Sequence, residues 1–316
     1  MSTIVQIPSD EDLIELIGRQ ESQEIKDAPN WKEDLIHLAK NGEQLTGDCL
    51  PWSKTHNIVR LRPGEITIWA GMNGHKKSMI SGMVALWLSK EHKICIASME
   101  MKPVDTLYRM AKQSAGCKPS VDWCSRLVEW GEDRIFIYDQ VDTCPPERVL
   151  GMVYYAAKEL GCKHIVIDSL TKCGIPSGES GVEKLFIDRL AWAAKTLNIH
   201  IHLIAHVRKP QSAGEEYRPT KFDVRGAGEL TDLVDNVFLV WANKRRLEAK
   251  QKLDAGFTLN EKEQKSLDND PDQLLTVAKQ RHGSWEGVIQ LWFDDRSLQF
   301  TSDSAGRTEP FTMESL

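Results

Sequence analysis

Gly71-Met72-Asn73-Gly74-His75-Lys76-Lys77-Ser78 places a glycine, a lysine and a neighbouring hydroxyl at the spacing of a phosphate-binding loop. Backbone N–H groups in such a turn, together with the positive end of a following helix, hold phosphate oxygens. Lys77 then reaches the β- and γ-phosphates and the Ser78 hydroxyl ligates Mg²⁺. The pattern G-x-x-x-x-G-K-[ST] is met except at its second glycine, where this chain has Lys76. Glycine suits that place because the backbone passes close to the nucleotide and a Cβ crowds it, so Lys76 predicts reduced activity. Three readings stay open: a tolerated variant that adds a cation near the phosphates, an engineered or inactivating change, or a chain that binds nucleotide weakly and serves a structural or accessory role.

Two carboxylates follow at strand ends. Ile165-Val-Ile-Asp168-Ser-Leu puts an acid at the exit of an apolar strand about 90 residues after the loop, the place of a Mg²⁺-binding aspartate; a helix cap is the bland alternative. Ile94-Cys-Ile-Ala-Ser98-Met-Glu100 ends a second strand in a carboxylate able to orient or deprotonate an attacking water, or simply to face solvent. His200 and His202 share one face of a third strand, with His206 at its exit. No cysteine or carboxylate cluster accompanies them in sequence, so His200 and His202 read as satisfied structural histidines rather than metal ligands.

The elements that position these residues alternate between buried strands and amphipathic helices. Glu65–Ala70 and Ser78–Lys90 frame the loop as strand and helix; further strands are expected at 94–97, 135–138, 164–167, 201–204, 237–240 and 274–277, with helices at 104–115, 146–160 and 182–197. A mostly parallel α/β sheet flanked by helices follows. Segments 288–293 and 298–300 read as a C-terminal β-hairpin, and 244–270, rich in Lys, Glu and Asp, as an exposed charged insertion. Residues 1–50 read as an acidic tail and a helix, 31–40; 51–303 form the main domain and 304–316 a tail. The 316 residues carry 41% apolar side chains and a net charge of −6, which argues against a protein that coats nucleic acid over its whole surface but leaves a local basic loop open. Seven cysteines without a C-x-x-C pair fit reduced thiols, and no stretch has the apolar length of a membrane span, so a cytoplasmic protein without a membrane partner is expected.

The ordered segments Pro63–His75, Ser98–Pro103, Val166–Leu170, Ile204–Lys209, Val224–Leu230 and Ala278–Gly283 together resemble the RecA-type motor domain of hexameric replicative DNA helicases, the DnaB-like, phage primase-helicase and Twinkle-like group. The resemblance spans roughly residues 50 to 300. It implies a RecA-like P-loop NTPase core that uses ATP and Mg²⁺. Glu100 then matches the catalytic glutamate, Asp168 the Mg²⁺-linked aspartate and His206 the γ-phosphate sensor. Arg281 matches an arginine finger, with Lys279 beside it, both offered to a neighbouring subunit; such fingers accelerate turnover roughly 10³- to 10⁵-fold. Channel loops that follow the Asp168 and His206 strands would contact single-stranded DNA through Lys184, Arg208, Lys209, Arg218 and Lys221, although Glu215 and Glu216 also fit a solvated loop. The implied assembly is a homo-oligomeric ring, expected to be a hexamer, in a bacterial or phage-infected cytoplasm. No primase or zinc-binding domain precedes the motor, so a separate primase, polymerase or single-strand-binding protein is the expected partner. A RecA-like repair ATPase forming filaments, and a hydrolysis-deficient DNA- or partner-binding ring, are the alternatives.

Overall fold

The computed structural model describes residues 26–41, 46–175, 180–208, 214, 216–225, 227–306, 308 and 311. Residues up to Thr46 form one unit, in which a 3-10 turn, Ala28–Trp31, runs into helix α1, Lys32–Asn41; Trp31 and Leu35 are exposed on it. The second unit, Gly47–Leu316, carries all the described strands.

Those strands form one nine-stranded sheet in the order β3-β2-β4-β5-β1-β6-β7-β8-β9. Strands β1 (Ile66–Gly71), β2 (Ile94–Ser98), β3 (Ile135–Ile137), β4 (His164–Asp168), β5 (His200–His206) and β6 (Asn236–Ala242) run parallel. The last three, β7 (Gln273–Gln280), β8 (Gly287–Phe293) and β9 (Phe300–Thr301), continue antiparallel. The expected hairpin is therefore present, with a shorter second strand: Leu298 takes a left-handed φ of 60°, and the Asp294 carboxylate collects the Ser297 N–H and hydroxyl to form the connecting turn.

Parallel strands are buried on both faces, and their side chains alternate accordingly. On one face Ile66, Ile68, Ile165, Ile167, Ile201 and Leu203 pack under helices α5 (Pro146–Lys158), α6 (Ser180–Leu197) and α7 (Ala227–Leu233). On the other, Trp69, Val166, Ile204 and Phe238 pack under α2 (Lys77–Leu88), α3 (Pro103–Ala115) and α4 (Val121–Trp130), the last a helix not anticipated from sequence. Trp69 is fully buried, with Phe238 edge-on at 4.9 Å. Alternation puts Asp168 and His206 on the same face as α2, at strand ends where Gly71 pairs with His206 and Ser98 with Asp168.

The charged stretch is exposed but not loose. It folds as α8 (Lys244–Asp254) and α9 (Glu261–Asn269), both started by asparagine caps, and it is anchored by Arg246, only 7% exposed. The Arg246 guanidinium donates to the Ser266 and Leu267 carbonyls and to Asp272 Oδ1 at 2.9 Å, which Lys250 also meets at 2.9 Å. All seven cysteines are unpaired, and burial pushes the Cys95 and Cys173 thiols up to about 12. No helix among the described residues is long and apolar enough to cross a membrane.

Candidate nucleotide site

The loop after β1 owes its shape to two different backbone demands. At Gly71 the demand is space: a Cβ there would stand 2.4 Å from the Val240 carbonyl oxygen, inside any real contact distance. At position 76 it is conformation. Lys76 sits at φ 64° and ψ 27° as the N-cap residue of α2, a left-handed geometry that glycine adopts freely and a lysine adopts at about 1–2 kcal/mol. Gly71 is thus required by close packing against β6, and Lys76 carries a backbone strain. Its ammonium lies 4.1 Å over the Phe293 ring, and burial draws it below its ordinary pKa despite nearby Asp295. The His75 side chain is turned into the core, where Nδ1 accepts the Ala242 N–H at 3.0 Å and ties the loop to the end of β6.

Lys77, Ser78, Glu100, Asp168 and His206 line one cavity of about 430 Å³, with Asn73 and Gly74 on its rim. Lys77 Nζ donates to the Met72 carbonyl at 3.0 Å and to His206 Nδ1 at 3.3 Å. An ammonium has donors only, so His206 carries its proton on Nε2, which faces Glu100 Oε1 at 4.0 Å. The Glu100 carboxylate also accepts from Ser169 Oγ at 2.8 Å, and Ser169 Oγ in turn meets Thr171 Oγ1 at 2.7 Å. Burial pushes Lys77 below its usual pKa against the pull of Asp168 and Glu100. Burial lowers His206 as well, and Lys77 adds to that shift.

Asp168, 4% exposed, is raised to about 6 mainly by burial, with Glu100 adding and the Ser78 hydrogen bond, Lys77 and Arg109 opposing. A carboxylate this poorly compensated, beside a hydroxyl and at the floor of a basic cavity, suits a hard divalent cation with oxygen ligands. The residues therefore fit both a phosphate chain and Mg²⁺. Arg109, on α3, lines the same cavity and escapes sequence reasoning because it belongs to no short motif. A wider neighbouring cavity of about 1000 Å³ shares Asn73 and His206 and is walled by Arg208, Arg225 and Lys244. Lys244 Nζ donates to the Gly74 carbonyl at 3.2 Å, so the charged insertion touches the loop through its first residue.

Arg281 and Lys279 lie elsewhere. Arg281 pairs with Asp235 at 3.1 Å, and Asp235 accepts the N–H of Ile66, the first residue of β1. Gly71 is five residues further along that strand, roughly 16 Å away. Lys279 Nζ caps the C-terminal carbonyls of α7, donating to Thr231 and Val234 at 2.7 and 2.8 Å. Both side chains thus sit at the opposite end of β1 from the cavity on their own chain.

Of the loop cations, Arg208 lines the wider cavity. Lys184 stands exposed on α6 rather than in a loop, because α6 already begins at Ser180. Arg218 stacks on Trp241 with its guanidinium 4.8 Å from the ring, and Glu216 pairs with Arg245. Lys221 opens a 3-10 turn, Lys221–Asp223, in which Asp223 Oδ2 accepts from Thr220 N and from the Tyr217 hydroxyl, each at 2.7 Å. Lys209 and Glu215 lie outside the described residues.

A loop of phosphate-binding pattern between β1 and α2, acids at or just beyond the ends of β2 and β4, and the strand order 3-2-4-5-1-6 define a RecA-like fold, the fold of the ATPase domains of DnaB-like helicases. Among proteins it resembles, a DNA helicase/primase of Enterobacteria phage T3 is 27% identical over 235 residues, covering 67% of this chain and 40% of that protein. The chain thus spans well under half of that relative's length. A DnaB-like replicative helicase, solved with attention to its interactions with primase, superposes with a TM-score of 0.68 at 15% identity over 92% of this chain and 73% of that one. A further solved ATPase domain gives 0.67 at 15% identity, over 88% of this chain and 100% of the other. No family model matches the sequence.

Proposed function

We propose that this chain is an ATP-hydrolysing DNA helicase motor that works as a ring, with Mg²⁺-ATP held between subunits and hydrolysis coupled to movement along single-stranded DNA. The observation that carries this reading is spatial. Lys77, Ser78, Glu100, Asp168 and His206 converge on one cavity, while Arg281 and Lys279 stand at the far end of β1. Gly71–Ser78 holds the phosphates, with Lys77 released from Met72 to neutralise them. Ser78 and Asp168 are the Mg²⁺ ligands, and the ion supplies charge neutralisation on the phosphoryl oxygens when bound. Glu100, positioned by Ser169, orients the attacking water and takes its proton at the carboxylate. His206 bridges Lys77 and Glu100 and reports the state of the site to Arg208 just beyond its strand. Arg208, Lys209, Arg218, Lys221 and Lys184 are the DNA-facing cations, and residues 1–50 supply a docking helix for a neighbour.

The test is hydrolysis of Mg²⁺-ATP with and without single-stranded DNA. Activity stimulated by DNA and lost in Lys77→Ala supports the motor. Activity only after Lys76→Gly would mean a disabled motor, and silence from both would leave a nucleotide-independent ring or scaffold. Electron microscopy of the DNA-bound protein separates a ring from a filament.

A further inference from the structure

At the end of the sheet face opposite the nucleotide cavity, the alternation that places Asp168 and His206 also buries His164, His200 and His202, with ring centroids 4.6 to 5.7 Å apart. Two of the three are fully used by the fold. His200 donates from Nδ1 to the Arg62 carbonyl at 2.7 Å and accepts the Thr67 hydroxyl on Nε2 at 2.9 Å. His202 accepts the Trp69 indole N–H on Nδ1 at 3.3 Å, so its proton is on Nε2, facing His164 Nδ1 at 3.2 Å. His164 differs because its second nitrogen leaves the core: Nε2 meets Asp48 Oδ2 at 3.0 Å, and Asp48 Oδ1 meets His92 Nε2 at 2.8 Å. The sequence pairs no carboxylate with these histidines. The fold brings one from 116 positions away.

We propose that Asp48, His92 and His164 form a binding site for a divalent transition-metal ion of the zinc class, with the remaining coordination position open to water. The three ligand atoms lie within 4.8 Å of one another. Two imidazoles and one carboxylate select zinc-like ions over Mg²⁺ or Ca²⁺, which prefer all-oxygen shells. The Asp48 and His92 side chains are 22% and 29% exposed, giving an ion access, while His164 at 2% is fixed by its neighbours. Bonds of about 2.0–2.1 Å in a tetrahedral shell separate ligand atoms by about 3.3 Å; His92 and His164 now meet different oxygens of the Asp48 carboxylate, at 2.8 and 3.0 Å, so the carboxylate has to turn and the partly exposed His92 ring to shift for one oxygen and both nitrogens to converge on the ion. Asp48 has the freedom for this: it sits on a single bridge to Leu61, outside the sheet. Metal on His164 Nε2 moves that ring's proton to Nδ1, which then donates to His202 Nε2. The His202 proton passes to Nδ1 and faces the Trp69 indole N–H, so the 3.3 Å contact between Trp69 and His202 opens. Binding would staple three segments distant in sequence, and it would disturb one buried tryptophan.

The experiment uses the full chain, stripped with a chelator and titrated with Zn²⁺ by calorimetry, with Co²⁺ absorption reporting the ligand set and indole ¹⁵N resonances reporting Trp69. One ion per chain, a shifted Trp69 indole signal and binding weakened roughly tenfold or more in His92→Gln are expected. His92 is partly exposed, so its variant keeps the fold even if Asp48→Asn does not. Trp69→Phe, which removes the opposing donor, should bind zinc at least as tightly. Absence of stoichiometric binding at micromolar zinc, or equal affinity in His92→Gln, overturns the site.

Discussion

At the level of single residues, Lys76 separates what the phosphate-loop pattern encodes from what it needs. The left-handed φ is available to lysine at about 1–2 kcal/mol, and cation–π contact with Phe293 returns about 0.5–1 kcal/mol. Glycine would shed the strain but add freedom to the unfolded chain. Lys76→Gly is therefore expected to change the unfolding free energy by about 1 kcal/mol or less, measured by urea denaturation, and to keep ATP turnover within the same order of magnitude. Lys77→Ala should lower turnover by at least about 10²-fold, because it removes a preorganised cation from the phosphates. His75 contributes to the pH dependence, beside the buried His164, His200 and His202, whose pKa values burial also lowers. Burial first, then Lys244 and Lys77, hold His75 at about 4, below its ordinary 6.5. Its contribution is complete above pH 6.5 and is lost as pH falls from 6.5 to about 4, at most about 3 kcal/mol. His75→Asn, which can still accept the Ala242 N–H, should make the stability-versus-pH curve shallower in that window, the remaining slope coming from the other buried histidines; an unchanged slope would contradict the assignment.

The charged insertion carries the element-scale lesson. Its composition identified an exposed segment, yet composition is blind to one arginine out of a run of cations, and Arg246 is the residue that docks α8 and α9 to the end of β7 through Asp272. Arg246→Ala removes one partner of a largely buried ion pair and leaves two helix-end carbonyls without their donor. A loss of about 2–4 kcal/mol confined to the insertion is expected. Hydrogen exchange followed by mass spectrometry should show faster exchange across 244–270 with the parallel strands unaffected; uniform acceleration would mean that the insertion is part of the global folding unit. Strands were legible because parallel-sheet burial writes continuous apolar runs. Helix α4 was missed although its signal is in the sequence: Ser120 caps it by accepting the Trp123 N–H, and Trp123, Leu127 and Trp130 recur at helical spacing.

For the whole molecule, the separation of Arg281 from Lys77 makes a specific prediction about assembly. Arg281→Ala and Lys77→Ala should each be nearly inactive alone. Mixed before assembly, they should regain part of the DNA-stimulated activity, since a subunit with Lys77 can then sit against a neighbour with Arg281. No recovery would mean that Arg281 acts only within its own chain. Because Arg281 also neutralises Asp235, which is 3% exposed, the thermal midpoint of Arg281→Ala has to be recorded beside its activity.

The sequence by itself determined most of the elements and what depends on local order: the Gly71–Ser78 loop between strand and helix, the acids at or just beyond the ends of β2 and β4, and the two-residue alternation that sends Asp168 and His206 to one face. These are properties of short windows, and short windows carry their own periodicity. Only the tertiary structure decided which distant windows meet. It set Glu100 beside Ser169, His206 between Lys77 and Glu100, Arg109 at the cavity wall, Arg281 on Asp235, and Asp48 on His92 and His164. Such pairings follow from strand order and packing, which no spacing along the chain records.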